Sequence, residues 1–228
     1  MKNFIIAMSV IAFAFGSCQK QSSVLPRAQQ STQDDVLQTD ATHYYHGKQV
    51  THQREIASYL SSESATLMTN KISGQLEFYY FDNEAEELDF LKSYPSLQPI
   101  YTKVLQAKEM REFAMATGEI EHYTLTGQLS QQYIDFVNQF RTRAGYTLCS
   151  NLNGGGLVFN VAGPVNNLFA AMPVMDNNAE SYKGPNAIGN VYTNPFFGGA
   201  ALAIFAPLPG VSFINFPLAW RNVISSAN

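Results

Sequence analysis

The sequence predicts an α+β protein in which a small α+β domain of unknown type at residues 43–143 precedes an all-β domain at residues 144–228. Ten of the fifteen Gly and seven of the ten Pro lie after position 144, and short apolar runs separate them. Strands bounded by such turn residues are typical of a β-sandwich or barrel. The frequency of charged residues also falls sharply after position 144. The charged residues that remain after Ala144 are Asp176, Glu180, Lys183 and Arg221.

Residues 1–17 predict a secretory signal. Lys2 precedes an apolar run, Phe4 to Phe15, that is too short to span a bilayer, and small residues follow it. Cys18 comes directly after Phe-Gly-Ser, an ending that resembles a bacterial lipobox. The resemblance implies that Cys18 is acylated and anchors the mature protein in the membrane of a bacterial cell envelope, on its periplasmic face or at the cell surface. The alternative is an ordinary secreted protein with an incidental Cys.

Residues 18–42 predict a disordered tether, because they are rich in Gln, Ser, Thr and Asp and contain no aromatic residue. Without Lys2 the chain keeps thirteen basic and eighteen acidic residues. This modest acidity, with no basic stripe, argues against a nucleic-acid partner. The sequence carries no signal for an oligomeric state.

The 43–143 region predicts alternating strands and helices. Tyr44 and Tyr45 lead into a His46-Gly47 turn, and Asn83 is placed to cap a helix with Glu86 at its third position. If Gly118, which ends the preceding helix, opens a strand, Glu119 and Glu121 would lie on one face of it, with His122 opposite. The remaining elements are a helix with Ile56, Tyr59 and Leu60 on one face, a strand at 76–81, and helices at about 100–116 and 130–143.

Little in this region predicts catalysis. His43 and His46 have the spacing of two metal ligands, but no third ligand follows at a recognised spacing, so we predict that these residues and His52 are surface histidines. The Glu119 and Glu121 carboxylates are more simply solvated. No nucleophile elbow, phosphate loop or zinc-protease helix is found, and we therefore predict that the protein is not an enzyme.

The C-terminal region contains one pattern twice. When 148–159 is laid on 191–202 without a gap, Cys149 falls on Tyr192, Asn151 on Asn194, and Gly155-Gly156 on Gly198-Gly199. A second pair follows, Asn-Asn-Ala-Glu-Ser-Tyr from Asn177 and Arg-Asn-Val-Ile-Ser-Ser from Arg221. A unit of roughly forty residues present twice predicts two supersecondary modules that bury their apolar faces against each other.

Tyr192, Phe197 and Gly199, with Trp220 before the second loop, resemble the βγ-crystallin Greek key. The resemblance implies that 144–228 is a two-motif Greek-key sandwich. Gly199 suits a hairpin position that needs a positive φ. With Cys18 lipidated no intrachain disulfide is available, and Cys149 is expected to be a small buried hydrophobe. We expect the region to fold separately; alternatively its edge is covered by the 130–143 helix or by the N-terminal domain.

The resemblance also implies calcium, held by oxygen atoms of paired loops. One site would use the carbonyls of Ala179 and Thr193 and the hydroxyl of Ser181, with Asn177 and Asn178 arranging the loop. The other would use the carbonyls of Val223 and Ser150 and the hydroxyl of Ser225, with Asn222 in support. Arg221 stands where the family has Asn or Asp, so the first site is preferred. The alternative is that these residues form only Asx-type turns.

Three functions follow from the sequence. The first is an envelope lipoprotein whose crystallin-like domain is a structural or binding module for a protein or glycan. The second is a protease inhibitor, since a microbial inhibitor branch shares this fold, although such inhibitors generally rely on disulfides. The third is an enzyme with a site in 43–143, which a pocket joining Glu119, Glu121 and the histidines would favour.

Overall fold

The fold is α+β, as predicted, and its sheets contain strands from both halves of the chain. The structure is a computed structural model that describes residues 41–61, 65–140, 146–152, 155–161, 163–173, 175–183, 188–205, 213–217 and 220–227. The signal, Cys18 and the tether up to residue 40 lie outside these residues. The described chain begins in a strand at Thr42, the last residue of the predicted tether. Within the described residues no helix has the length and apolar character needed to cross a membrane.

The secondary structure comprises strands, α-helices and one short 3-10 turn. The strands are β1 (Thr42–Tyr45), β2 (Lys48–Val50), β3 (Ala65–Thr69), β4 (Glu77–Phe81), β5 (Tyr146–Cys149), β6 (Val158–Val161), β7 (Ser181–Lys183), β8 (Ile188–Asn194), β9 (Gly198–Phe205), β10 (Phe213–Asn215) and β11 (Ser226–Ala227). The helices are α1 (Gln53–Ser61), α2 (Glu84–Ser93), α3 (Gln98–Ala116), α4 (Glu119–Thr126), α5 (Gln131–Asn138) and α6 (Leu168–Ala171), with the 3-10 turn (Pro95–Leu97) before α3.

The larger sheet is mixed and has the strand order β11-β8-β9-β3-β4-β1-β2. Its two halves join where β3 pairs in parallel with β9, from Ala65 opposite Ala201 to Thr69 opposite Phe205. The edge of β9 is therefore covered by the N-terminal region, one of the two alternatives that the sequence left open. The larger sheet runs across the predicted boundary at residue 144 and does not test whether 144–228 folds by itself. Separate folding therefore stays a prediction.

The smaller sheet has the order β10-β7-β5-β6 and contains strands from the C-terminal region alone. In it β10, which follows β8 and β9 in the chain, pairs with β7 from the first half of the region. In return Val165, from the first half, bridges Ala227 in β11. Each half of the C-terminal region thus lends a segment to the sheet of the other half.

The molecule has three layers, because both faces of the larger sheet are buried. Along β3 and β4 alternate side chains enter different cores. Met68, Phe78 and Tyr80 face the smaller sheet and share its core with Trp220. Leu67, Tyr79 and Phe81 face α2 and α3 instead. A third core joins α3 and α5 to the aromatic residues around β8: Tyr192, Phe196 and Phe197.

Local signals in the first half were read correctly except at Gly118. The His46-Gly47 turn joins β1 to β2, and Asn83 caps α2 by accepting a hydrogen bond from Glu86 N at 3.0 Å. The strand predicted from Gly118 is wrong, because Gly118, with φ of 69°, starts helix α4. Glu119 is buried there and its carboxylate accepts a hydrogen bond from Ser130 N at 2.8 Å, which fixes α4 against the start of α5.

The two hairpins of the C-terminal region turn at equivalent glycines. Gly199 has φ of +74°, as predicted, and Gly156 has φ of +73°. A Cβ on Gly199 would lie 2.3 Å from Thr193 Oγ1, and a Cβ on Gly156 would lie 2.4 Å from Ser150 Oγ. Both positions therefore exclude a side chain for two reasons, a strained φ and a direct clash.

Candidate functional site

Two loops, residues 176–181 before β7 and residues 221–226 before β11, lie against each other through reciprocal backbone hydrogen bonds. Asn177 N donates to Ile224 O at 3.0 Å, and Asn222 N donates to Ala179 O at 3.0 Å. The two asparagines also share an unusual backbone conformation, with φ of 52° and 61°. Asn tolerates this left-handed region better than most residues. The loops are therefore two copies of one structure, with Asn177 and Asn222 at equivalent positions.

The strand pairing shifts the predicted alignment of these loops by one residue. Ser181 lies opposite Cys149, and Ser226 lies opposite Tyr192. The Ser181 hydroxyl donates to Asn151 O at 2.6 Å, and the Ser226 hydroxyl donates to Asn194 O at 2.6 Å. Ser181 therefore corresponds to Ser226 rather than to Ser225. By the same shift, Glu180 corresponds to Ser225 and Ala179 to Ile224.

This shift changes the oxygen atoms that the first loop can offer. Ser181 is fully buried and its hydroxyl is engaged by the hairpin, so it is not placed as the exposed ligand that the alignment required. The carbonyl of Ala179, also fully buried, accepts the hydrogen bond from Asn222 N. The fifth position of the first loop is occupied by the half-buried Glu180. Calcium binding itself is tested by none of these contacts and stays a prediction.

The side chains at the fifth positions reach across to the opposite loop. Asn222 Nδ2 donates to Glu180 Oε1 at 3.2 Å, and the Ser225 hydroxyl donates to Asn177 Oδ1 at 3.4 Å. Glu180 and Ser225 are also bonded through their backbone to the hairpin of the same copy. Glu180 N donates to Cys149 O at 2.9 Å, and Ser225 N donates to Tyr192 O at 2.8 Å.

Two groups of polar residues result, and they differ from the predicted sets: Ser225 joins the residues of the first set in place of Ala179 and Ser181, and Glu180 takes the place of Ser225 in the second. The first group places Glu180 and Asn222, with the neighbouring Val223, beside Ser150. The second places Ser225 and Asn177, with the neighbouring Asn178, beside Thr193. The hydroxyls of Ser150 and Thr193 accept from Leu157 N at 2.9 Å and Ala200 N at 3.0 Å, which orders both hairpins in the same way.

Arg221 was the main argument against a cation at the second loop. Its Nε donates to Phe216 O at 2.8 Å, so the guanidinium is tied to the backbone that precedes Trp220. Asp176 occupies the equivalent position in the first loop and accepts from Asn177 Nδ2 at 3.1 Å. The first loop therefore carries two acidic residues, Asp176 and Glu180, where the second has Arg221 and Ser225.

The sequence alignment missed Glu180 because the spans between hairpin and loop differ in length. Cys149 and Ser181 are 32 positions apart, whereas Tyr192 and Ser226 are 34 apart. An ungapped match of the loop letters hides this difference. A signal was nevertheless present, because Asp176-Asn177 followed by Ser181 also fits the family pattern when Glu180 takes the hydroxyl position.

The three histidines that lie close together in sequence, His43, His46 and His52, have different environments. The prediction that all are surface residues is wrong for His43, which is buried, stacks between Phe78 and Tyr80, and lies 2.7 Å from the Tyr80 hydroxyl through Nδ1. His46 and His52 are exposed, as predicted. Glu119 and Glu121 lie in α4 and do not line a pocket with His46, whereas Glu86 does.

Cys149 is fully buried, as predicted for a small buried hydrophobe. It pairs with Ser181 across β5 and β7 and occupies the position that Tyr192 holds in the second hairpin.

Three solved structures are similar to part of the chain. A beta gamma crystallin from Ciona intestinalis has 15% identity over 37% of this chain and 96% of its own, with a TM-score of 0.31. A chain solved for the evolution of the eye lens beta-gamma-crystallin domain fold has 21% identity over 38% of this chain and 84% of its own, with a TM-score of 0.31. The N-terminal domain of protein S has 20% identity over 37% and 93%, with a TM-score of 0.31. No family model and no curated protein matches the sequence.

Proposed function

We propose that residues 146–227 form two interlocked Greek-key motifs of the βγ-crystallin type that serve as a structural or binding module of a bacterial envelope lipoprotein. The observation that carries this proposal is the reciprocal contact of the two loops, in which Asn177 and Asn222 each donate to the other loop. The exchange of β10 and the Val165 segment between sheets agrees with it. An exchange of this kind makes each motif incomplete without the other, which suits a rigid module.

We further propose that the module is held at the membrane by acylated Cys18. This part rests on the sequence alone, on the short apolar run that ends in Phe-Gly-Ser-Cys. Mass spectrometry of the mature protein should find Cys18 as a lipid-modified first residue, and Cys18→Ala should release or misprocess the protein. An unmodified N-terminus at another residue would contradict the anchor. A pull-down from envelope extract would then identify the protein or glycan partner.

Calcium is the ligand class that the loops favour, and we place it first at the group containing Glu180. A hard cation prefers oxygen donors and carboxylates above all. Among the side chains of the two groups, Glu180 is the carboxylate, with the carbonyls of Val223 and Ser150 nearby as further donors. Ser225, Asn177 and Thr193 form the neutral and weaker group. With so few charges we expect a dissociation constant of about 10⁻⁴ to 10⁻³ M.

The experiment is a thermal unfolding series with calcium, followed by calorimetry of matched variants. At about 100 times the dissociation constant, calcium should stabilise the fold by about 2.7 kcal/mol. Glu180→Gln should remove this gain while preserving the hydrogen bond from Asn222, and Ser225→Ala should retain it. Ser181→Ala is unsuited to this purpose because its hydroxyl supports the hairpin. No thermal response in the parent chain at about 100 mM calcium, roughly 100 times the weakest expected dissociation constant, would show that the loops bind no calcium.

A further inference from the structure

A second polar cluster lies far along the chain from these loops, at one end of the larger sheet. His46 Nδ1 is 2.8 Å from Glu86 Oε1, and His46 Nε2 is 3.2 Å from Asp82 Oδ2. One ligand atom from each residue can be chosen so that all three lie within 4.8 Å of one another. The side chains of His46, Asp82 and Glu86 keep exposed fractions of 46%, 54% and 31%, so a solute ion can reach them and they can adjust around it.

The topology explains why these three residues meet. β1 and β4 pair in parallel, with Tyr45 opposite Tyr80, so the carboxyl ends of both strands reach the same edge of the sheet. His46 directly follows β1 and Asp82 directly follows β4. Helix α2 starts two residues after Asp82 and brings Glu86 in its first turn. The turn, the strand end and the helix are rigid elements, and the three side chains that they carry therefore converge at one place.

Each carboxylate is held by its other oxygen. The Tyr45 hydroxyl donates to Asp82 Oδ1 at 2.7 Å, and Asp82 N donates to Glu86 Oε2 at 3.0 Å. This leaves Asp82 Oδ2 and Glu86 Oε1 directed at the imidazole. Metal-ligating residues are typically oriented by such a second layer of hydrogen bonds.

The cluster opens on one side to a depression of about 380 Å³. Its wall includes the aromatic rings of Tyr44, Tyr79 and Phe90, with the Tyr44 and Tyr79 rings stacked at 5.0 Å. An ion held by three protein ligands keeps at least one exchangeable coordination position. Here that position would face the depression rather than the interior of the protein, because His46 and Glu86 line it.

We propose that His46, Asp82 and Glu86 form a three-ligand site for a divalent transition-metal ion of the zinc class. An imidazole nitrogen with two carboxylate oxygens suits such an ion better than calcium or magnesium, which take oxygen ligands alone. Binding uses the neutral imidazole, so the ion takes the place of the proton on one ring nitrogen, and the carboxylate that faces the other nitrogen turns toward the ion. The site is independent of the calcium loops and does not rest on the proposed function.

The test is calorimetric titration of the full chain, freed of metal by a chelator, with zinc chloride in a buffer that does not bind zinc. The informative variant is His46→Asn. His46 has φ of 48° next to Gly47 with φ of 72°, a pair of values that belongs to a type I′ turn, and Asn is favoured in such turns. The turn should therefore persist while the imidazole is lost. We expect one zinc equivalent in the parent chain, with at least tenfold weaker binding in His46→Asn.

Matched controls separate this site from adventitious binding. His52→Asn and His122→Asn remove exposed histidines elsewhere and should leave the affinity unchanged. Tyr45→Phe removes the hydroxyl that orients Asp82 and should weaken zinc binding about 10- to 100-fold. Glu180→Gln should change calcium binding but not zinc binding. If the parent chain binds no zinc, or if His46→Asn binds it as tightly as the parent, the cluster is an exposed ion pair and the proposal is overturned.

Discussion

The two hairpin-and-loop copies of the C-terminal region share a backbone but differ in what they bury. Both turn at a glycine with positive φ, both contain a left-handed Asn, and both lock a carbonyl with a buried Ser hydroxyl. The first copy nevertheless has Cys149 where the second has Tyr192. Met175 and Trp220 are a second equivalent pair, because the backbone N of each donates to the carbonyl three residues earlier in the chain, Met172 O and Pro217 O.

The difference follows from what covers each copy. Tyr192 and Phe197 are buried in a core with α3 and α5, and Arg111 Nη1 donates to Phe197 O at 2.8 Å. Cys149 lies in the smaller sheet, which receives strands from the C-terminal region alone. The larger side chain, Tyr192, therefore lies where the N-terminal helices pack. Met175 and Trp220 both lie in the core between the two sheets, so their difference does not follow from the helices. The repeat shows that polar and backbone contacts define the motif, whereas Cys149 and Tyr192 differ with the layer that covers them.

The largest effect should come from the equivalent positions Tyr192 and Cys149. Tyr192→Ala removes a buried ring from the core shared with α3 and should lower the free energy of unfolding by about 3–5 kcal/mol. Cys149→Ala removes one small buried group and should lower it by about 1 kcal/mol. Denaturant unfolding of both variants measures the difference. Equal losses would show that Tyr192 and Cys149 contribute equally to stability. This would contradict our interpretation that packing of the N-terminal helices makes Tyr192 the more important residue.

The equivalent glycines Gly156 and Gly199 test the backbone conformation that the two copies share. Gly156→Ala and Gly199→Ala each introduce strain at positive φ, about 1–2 kcal/mol, and a clash with a hydroxyl and an Asn side chain. We expect similar losses above about 2 kcal/mol in both. Gly74→Ala, with φ of +86° and no atom within 4 Å of the added Cβ, is the control that carries strain alone. A loss in Gly74→Ala as large as in the pair would remove the clash from the explanation.

The paired serines should give the smallest effect. Ser181→Ala leaves the Asn151 carbonyl without its hydroxyl partner. Ser226→Ala does the same to Asn194 and also removes the acceptor of Phe197 N at 3.1 Å. An unsatisfied buried group costs about 1–3 kcal/mol, and Ser226→Ala leaves the buried Phe197 N in this state, so Ser226→Ala should be the more destabilising in thermal melts. A larger loss in Ser181→Ala would reverse the ranking.

Local signals in the sequence were sufficient to predict the repeat, the helix caps and the turn glycines. Asn83, Gly199 and the His46-Gly47 turn act through nearest neighbours, and their roles were predicted. The contacts that were missed depend on strands far apart in the chain. The parallel pairing of β1 with β4 brings Asp82 to His46, and no local pattern encodes it.

Three further errors have identifiable causes. A glutamate in the first turn suits a helix N-terminus, and the Glu119 carboxylate accepts hydrogen bonds from Ser130, which supports the helix rather than a strand. Glu180 was hidden by a two-residue difference in the span between hairpin and loop, which the matching of letters cannot detect. His43 was expected at the surface because its Tyr80 partner lies 37 residues away.

The parallel contact of β3 with β9 has a consequence for the order of folding. Thr69 Oγ1 donates to Phe205 O across a separation of 136 residues, so the larger sheet cannot close until nearly the whole chain has been made. Contacts of such long range slow folding, and until β9 arrives the apolar strand β3 remains an open edge. A chain that emerges from synthesis in this state is late to fold and vulnerable to aggregation. Under the export proposed from residues 1–17, the same delay would keep the precursor unfolded while it is threaded through a narrow channel.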